Sequence, residues 1–211
     1  MTVTPEILLQ AYCSGVFPMA EHRNDPEIFW VDPKRRGVFP IDGFHVSRSL
    51  AKRLRRGDCR ATLNHDFGRV VQACAQRPET WISREIFDLY SALHSMGYAH
   101  SLEVWRGDDL AGGIYGVAIG GAFFGESMFS HQTDGSKLAL AWLIDLLKRT
   151  GFSLFDTQFL TDHLASLGAV EISRASYHAQ LATALSVSAD ITAHPVAASG
   201  HEVVHRSTQI S

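Results

Sequence analysis

The most constraining feature of this sequence is a glycine-rich apolar segment followed closely by an apolar helix. Residues 110–130 read LAGGIYGVAIGGAFFGESMFS, two apolar runs separated by a Gly-Gly turn, and an alternating stretch over residues 100–105 precedes them. This pattern predicts three successive antiparallel strands. A polar loop then leads to a strongly apolar helix over residues 136–150, and a strand over residues 153–159 comes next.

These elements and a last helical segment predict an α+β fold. Residues 98–185 are expected to form a C-terminal acetyltransferase-like (GNAT-like) domain. Residues 1–97, with several short helices and a strand over residues 60–65, predict a small N-terminal α/β domain packed on it. From about Ser186 the periodicity is lost and the residues are small and polar. We therefore expect residues 186–211 to be a disordered tail.

Length and composition are those of a globular protein, with 211 residues of which 45% are hydrophobic. No apolar run approaches the roughly 18 residues of a membrane span, and the N-terminus lacks the pattern of a secretory signal. The three cysteines have no metal-ligand spacing, and the eleven histidines include no HExxH motif. We expect a cytoplasmic protein that has no membrane contact and binds no metal.

The basic residues are concentrated in one region of a chain whose net charge is −3. Nine of the 19 Lys and Arg residues lie between Lys34 and Arg60. A helix beginning near Ser47 would place Leu50 and Leu54 on one face and turn basic residues to the others. Those residues are Arg48, Lys52, Arg55 and Arg56. They suit a phosphate backbone, but a solvated helix face is the ordinary alternative.

Polar residues interrupt two apolar strands. Glu126 lies in FFGESMFS, where a buried carboxylate would need a partner or a cationic ligand, and where an exposed edge position is the alternative. Asp156 and Gln158 lie two apart in LFDTQF and so point to the same face of a strand. They either line a polar site or hold a buried hydrogen-bond network. Trp81, in a loop after Pro78, could wall a pocket or stack on a base.

These segments, taken in order, resemble one family. The motifs include SGVFPMAE, FWVDPKRRGVFP, ETWIS, FFGESMFS, LFDTQF and HLASLGAVEISR. They are similar in order and spacing to those of the leucyl/phenylalanyl-tRNA–protein transferases, from about Glu6 to Leu185. The resemblance implies transfer of Leu, Phe or, less well, Met from aminoacyl-tRNA to proteins that begin with Arg or Lys, which marks them for degradation. It implies no cofactor, and we expect a monomer.

The resemblance also implies roles for particular residues. Asp156 and Gln158 match the pair assigned to peptide-bond formation, and Glu126 matches an acidic residue near the reacting amine. Trp81 matches an aromatic residue near the terminal adenosine, and Ser136 falls near the substrate. The residues that match the pocket for the apolar amino acid are Ile114, Leu140, Leu143 and Leu147, and those that match the basic patch for tRNA are Arg48, Lys52, Arg55 and Arg56. Met19 stands where some relatives have Trp, and Leu143 and Leu147 stand where some have aromatic residues.

Two other functions remain as alternatives. An acyl-CoA-dependent N-acetyltransferase would have a similar sheet, but it predicts a Gly-rich pyrophosphate turn at the start of the long helix, and HQTDGSK fits such a turn poorly. A noncatalytic tRNA-binding module would use the basic helix alone. In the transferase mechanism that we favour, the α-amine of the acceptor attacks the aminoacyl ester, Gln158 orients the amine, Asp156 fixes the amide, and Glu126 attracts the cationic N-terminus.

Overall fold

The protein is built around one mixed β-sheet. The computed structural model describes residues 3–19, 28–77 and 80–208. Strands β1 (Phe17–Met19) and β2 (Phe29–Val31) pair with each other as a separate antiparallel ribbon. The main sheet has the order β4-β5-β6-β7-β8-β3-β9. Its members are β3 (Arg35–Phe39), β4 (Arg60–Leu63), β5 (Ala99–Arg106), β6 (Asp109–Ile119), β7 (Ala122–Ser130), β8 (Leu154–Gln158) and β9 (Val170–Ser173).

Helices cover both faces of this sheet. They are α1 (Pro5–Cys13), α2 (Arg48–Arg55), α3 (Phe67–Ala75), α4 (Arg84–Ser95), α5 (Gly135–Arg149), α6 (Asp162–Ser166), α7 (Arg174–Leu185) and α8 (Gly200–Thr208). Polar side chains fix where several of them begin, because each accepts a hydrogen bond from a backbone N–H of the first turn. The capping residues are Thr4, Ser47, Asp66, Ser83, Thr161 and Ser173.

Strand alternation divides the buried side chains into two cores. Phe124 packs on one face with residues of α1, α3, α4 and α7. Phe123 and Phe155 pack on the other face with residues of α2, α5 and α8. The three antiparallel strands and the long helix predicted from the sequence are confirmed as β5, β6, β7 and α5. The mixed α and β architecture is therefore as predicted.

The domain boundary predicted after residue 97 does not coincide with a break in the sheet. Strands β3 and β4 come from before this boundary, yet they pair with β8 and β5 from after it. Strand pairing thus joins the two parts into one continuous sheet.

The prediction of a disordered tail is wrong for the described part of residues 186–211. This C-terminal segment, residues 187–208, packs on α2 and α5 and ends in helix α8. The Trp142 indole N–H donates to the Ala197 carbonyl at 3.1 Å. The sequence hid this because the segment buries only a few small and apolar residues at irregular spacing, which produce no periodic pattern. These are Ile191, Ala197, Val203 and Val204. Residues 209–211 lie outside the described residues.

Helix α5 begins in very close contact with β6. The backbone of Gly135 lies against that of Ala111 and Gly112, so a Cβ atom at Gly135 would overlap the Ala111 carbonyl oxygen. Glycine at this position therefore sets how closely the helix approaches the sheet.

We predict that Gly135→Ala lowers the free energy of unfolding by about 1–3 kcal/mol, the usual effect of overpacking. Gly68→Ala is the matched control, because a Cβ there meets only the Phe87 ring at 3.7 Å. The control should be neutral or stabilise by up to about 1 kcal/mol. Urea denaturation of both variants measures the difference, and equal stability of the two would contradict the packing argument.

Candidate active site

The candidate site lies where strands β7 and β8 separate. These strands are parallel neighbours only from Ala122 to Phe124 on β7, paired with Leu154 to Asp156 on β8. Beyond this point, Glu126 and Gln158 face each other across the gap, and the Gln158 amide donates to the Glu126 carboxylate at 3.1 Å. A cavity of about 480 Å³ opens beside them.

Glu126 is held by neutral hydrogen-bond donors. The hydroxyls of Tyr12, from α1, and Tyr90, from α4, each donate to one carboxylate oxygen at 2.7 Å. Burial raises the pKa of Glu126 to about 7, although the hydrogen bonds from both tyrosines favour the ionised form, and the charge of Asp156 adds to the rise. The carboxyl group can therefore exchange a proton near neutral pH.

Asp156 has a different environment, since it is fully buried against a cation. Arg36, from β3, forms a bidentate ion pair with it, with Nε–Oδ1 at 2.9 Å and a second N–O distance of 2.6 Å. The Tyr177 hydroxyl donates to Oδ2 at 2.8 Å. The guanidinium also lies between the rings of Phe17 and Tyr177, at 4.4 and 4.3 Å from their centroids. Its Nη1 donates to the Gly15 carbonyl at 3.1 Å, and its Nη2 also lies 3.2 Å from the Tyr177 hydroxyl.

Asp156 and Gln158 therefore play different parts. The Asp156 carboxylate does not hold the Gln158 side-chain amide; it accepts the backbone N–H of Gln158 at 2.8 Å. This bond accompanies a left-handed backbone at Gln158, with φ of 64°, which a non-glycine residue rarely adopts. The sequence left open whether these residues form a buried hydrogen-bond network or line a polar site. Asp156 belongs to a buried network, whereas Gln158 and Glu126 face each other across the gap between the strands.

The cavity walls include some, but not all, of the residues matched to the amino-acid pocket. Ile114 and Leu140 line it, and so does Ser136 at the start of α5. Leu143 and Leu147 do not line this cavity, because α5 continues into the core, where both are buried. Several lining residues on β7, on or just after β8, and on α6 were not identified from the sequence, although strand alternation from Glu126 would have pointed to Met128. These are Met128, Phe155, Thr157, Phe159, His163 and Leu164.

The four residues of the predicted basic patch are all exposed, three on α2 and one directly after it. They are Arg48, Lys52, Arg55 and Arg56. The opposite side of the helix buries Leu50, Ala51 and Leu54, as the leucine spacing predicted. Arg56 lies 3.6 Å from Asp58, so its charge is partly balanced.

The described residues contain neither a metal-binding cluster nor a membrane-spanning helix. Among residues 3–19, 28–77 and 80–208, His, Cys, Asp and Glu side chains form no group of three or more that could hold a metal ion. Within the same ranges, every helix is too short or too polar to cross a membrane.

Comparison with known proteins decides the family. A model of leucyl/phenylalanyl-tRNA protein transferase matches residues 38–182, and a model of the N-terminal domain of that transferase matches residues 1–34. The chain belongs to the leucyl/phenylalanyl-tRNA–protein transferase family.

Curated relatives in this family match the whole chain. The transferase of Ruegeria pomeroyi is 61% identical over 100% of both chains. That of Cereibacter sphaeroides is 59% identical over 99% of this chain and 98% of its own. Among solved structures, L-PGS from Bacillus licheniformis aligns with a TM-score of 0.42 and 13% identity, covering 76% of this chain and 55% of that one.

Of the two other residues that the family resemblance placed near the substrate, Ser136 lines the cavity and Trp81 does not. The half-buried Trp81 ring packs edge-on against Tyr90, with centroids 6.3 Å apart. It therefore supports a tyrosine that holds Glu126. The Ser136 backbone N–H donates to the Ser130 hydroxyl at 2.7 Å, which occupies part of the first turn of α5.

Three important residues were not identified from the sequence. Arg36 was counted only as one of many basic residues, and Tyr12 and Tyr90 looked like ordinary apolar positions of helices. A signal for Arg36 did exist, because it lies in a segment that pairs as a strand and is followed by apolar residues.

The raised pKa of Glu126 predicts a pH-dependent stability. Between pH 4.5 and about 7 the folded state binds this proton more tightly than the unfolded state, so the free energy of unfolding should fall as the pH rises. Relative to Glu126→Gln, wild type should lose on the order of 3 kcal/mol across this window. Urea denaturation at a series of pH values measures the difference, and parallel curves for the two proteins would contradict it.

The Arg36–Asp156 pair predicts a large stability effect. Arg36→Met leaves the Asp156 charge buried without its cation, and we expect a loss of about 3–5 kcal/mol in the free energy of unfolding. Arg35→Met is the matched control on the same strand, because Arg35 is 61% exposed and pairs with an exposed Glu171. The control should lose at most about 1 kcal/mol. Similar losses in both variants would show that burial of the pair is not the cause.

Proposed function

We propose that this protein transfers leucine, phenylalanine and, less well, methionine from aminoacyl-tRNA to proteins whose first residue is Arg or Lys, marking them for degradation. One observation carries the proposal. Glu126 combines a pKa of about 7 with a place in the wall of an apolar cavity. Aminoacyl transfer needs both features, since a proton must leave the attacking amine and an apolar side chain must be bound.

The reaction is an aminolysis of the aminoacyl ester. The α-amine nitrogen of the acceptor forms a bond to the ester carbonyl carbon, and the bond from that carbon to the ribose oxygen of the tRNA breaks. The acceptor enters as an ammonium group and passes one proton to Glu126 to become a neutral amine. After attack, a second proton leaves the nitrogen and reaches the ribose oxygen. The ester is already activated, so positioning supplies a large part of the rate enhancement.

Glu126 has two roles in this scheme. In its ionised form it attracts the cationic N-terminus of the acceptor and then accepts a proton from the amine. A pKa near the working pH suits a group that must both take up and release a proton. The tyrosine hydroxyls of Tyr12 and Tyr90 keep the carboxylate in place while the proton moves.

Gln158 orients the amine, and Asp156 acts through Gln158. The Gln158 side-chain N–H donates a hydrogen bond to Glu126. The side-chain carbonyl oxygen of Gln158 is then available to accept a hydrogen bond from the acceptor amine. Asp156 is a positioning residue, because it holds the backbone N–H of Gln158 from within the core. A neutral amide is a poor proton acceptor, so the proton goes to Glu126.

The cavity would bind the side chain of the transferred amino acid. Ile114, Leu140 and Phe155 give it an apolar wall, which suits Leu, Phe and Met side chains. In an apolar pocket, the binding free energies of ligands that differ by one methylene differ by only about 1–3 kcal/mol, so partial promiscuity among these three is expected.

The basic face of α2 would bind the tRNA body, with an affinity that falls as salt is added.

The acyl-CoA alternative has less support. We infer an acetyltransferase-like architecture for residues 98–185 from the antiparallel strands β5 to β7, the long helix α5 and the parallel strand β8. A pyrophosphate would have to bind at the start of α5. There, Gly135 abuts Ala111, and the Ser136 N–H is already bound to Ser130.

We also propose that the protein acts as a cytoplasmic monomer. Its donor substrate is a tRNA, and all three cysteines carry free thiols, as a reducing compartment favours. The site is formed within one chain, since α1, α4, β7 and β8 supply Tyr12, Tyr90, Glu126 and Gln158.

A transfer assay tests the proposal. Wild type, incubated with labelled Leu-tRNA and a peptide that begins with Arg, should form labelled peptide, and Glu126→Gln should reduce the rate roughly 10²- to 10⁴-fold, the usual effect of losing a general base. Glu171→Gln is the matched control, because Glu171 is an exposed residue paired with Arg35. Gln158→Ala should also slow transfer.

Each alternative gives a different result. No transfer by wild type would contradict the proposed function, and acetylation of the peptide with acetyl-CoA would favour the acetyltransferase. Equal binding of charged and uncharged tRNA without peptide formation would favour a binding module. Full activity of Glu126→Gln would leave the function standing but remove Glu126 from the mechanism.

A further inference from the structure

We propose that the C-terminal segment, residues 187–208, is a positioning element that fixes the basic helix α2 for binding of the tRNA body. The inference rests on the proposed tRNA contact of α2. It concerns a part of the chain that follows the region matched by the family model, which ends at residue 182.

Helix α2 is poorly suited to hold itself in place. It has eight residues, and isolated helices of fewer than about 12–15 residues are marginal in water. Lys52 lies four residues from Arg48, and like charges at this spacing destabilise a helix. A helix this short depends on packing for most of its order.

The C-terminal segment supplies this packing. The backbone of Gly200, at the start of α8, lies directly on the backbone of Leu54, where a Cβ atom would overlap the Leu54 carbonyl oxygen. The His201 Nε2–H donates to the Arg55 carbonyl at 2.8 Å. Carbonyls in the last turn of a helix lack an intrahelical partner, so His201 satisfies one at the end of α2.

The same segment is anchored to helix α5. Arg206 forms a bidentate ion pair with Asp145, with N–O distances of 2.5 and 2.9 Å. Asp145 also pairs with Arg149, which donates to the Pro195 carbonyl at 2.9 Å. The Trp142 indole N–H donates a hydrogen bond to the Ala197 carbonyl. Because Leu140 of the same helix lines the cavity, the segment links the basic helix to the wall of the acyl pocket.

If the C-terminal segment positions α2, disturbing their contact should weaken tRNA binding without slowing the chemical step. Displacing α2 should remove one or two contacts with phosphate groups. This should lower the affinity for Leu-tRNA roughly five- to thirtyfold near physiological salt. A minimal donor, the leucyl ester of adenosine, has no tRNA body and should not sense the change. The signature is therefore a raised KM for Leu-tRNA with an unchanged kcat, and unchanged transfer from leucyl-adenosine.

The test compares Gly200→Ala with Gly68→Ala in the full-length protein. Gly200→Ala should raise the KM for Leu-tRNA roughly five- to thirtyfold and flatten its salt dependence, whereas Gly68→Ala should leave both unchanged. An unchanged KM in folded Gly200→Ala overturns the proposal. Equal losses with Leu-tRNA and leucyl-adenosine also overturn it, because they would show that the segment supports the whole catalytic region.

A second pair of variants covers the case in which Gly200→Ala does not fold. His201 is exposed, so His201→Ala should fold and raise the KM for Leu-tRNA, and His201→Gln, which keeps a donor for the Arg55 carbonyl, should restore it in part. Equal KM values for both variants and wild type overturn the proposal.

Lys52→Ala separates this inference from the proposed function. If Lys52→Ala weakens Leu-tRNA binding but the Gly200 and His201 variants do not, the segment has no positioning role and the tRNA contact of α2 stands. If Lys52→Ala has no effect, the tRNA contact itself fails, and the inference fails with it.

Discussion

The buried ion pair between Arg36 and Asp156 holds together the elements that build the site. Arg36 lies on β3 and Asp156 on β8, and the guanidinium also binds the Gly15 carbonyl just after α1, the helix that carries Tyr12. Tyr177 adds α7 to the same group. Removing two charges from water is costly, and only close geometry with further hydrogen bonds offsets that cost. Asp156 meets this condition, because it accepts four hydrogen bonds, from two guanidinium nitrogens, a hydroxyl and the Gln158 N–H. With these four contacts, the carboxylate has no lone pair left to accept a hydrogen bond from a substrate.

Two carboxylates in one region therefore differ because of their partners. Asp156 has a cation, whereas the described partners of Glu126 are neutral hydroxyls and an amide. The fixed negative charge of Asp156 also contributes to the raised pKa of Glu126. The ion pair thus has an electrostatic effect besides a mechanical one, since an ionised Asp156 makes Glu126 easier to protonate. Asp156 is thus held in place by its hydrogen bonds, whereas the pKa of Glu126 allows proton exchange near neutral pH, a property that the proposed aminolysis would use.

The parts of this structure that could be predicted from sequence are those with a repeating pattern. The leucine spacing of α2, the apolar length of α5, the alternation of β5 and the apolar runs of β6 and β7 each extend over several residues, and each element appears where it was expected. Contacts made once, between distant residues, leave no such pattern. Arg36 looks like its exposed neighbour Arg35 until the fold brings Asp156, 120 residues away, beside it. The burial of Val203 and Val204 depends in the same way on a helix that lies far away in sequence.

Helix α5 is the common support of the cavity and of the basic surface. Its first two turns contribute Ser136 and Leu140 to the cavity, and its outer side binds the C-terminal segment through Trp142 and Asp145. With 15 residues it is about 22 Å long, and a packed helix of this length bends little. The separation between the acyl pocket and the basic face of α2 is therefore set by rigid packing on one element. In the proposed reaction, this separation must match the distance between the 3′ end of a tRNA and the part of its backbone that α2 contacts. With rigid packing on α5, binding of the tRNA body to α2 would place the ester near Glu126 in the proposed reaction.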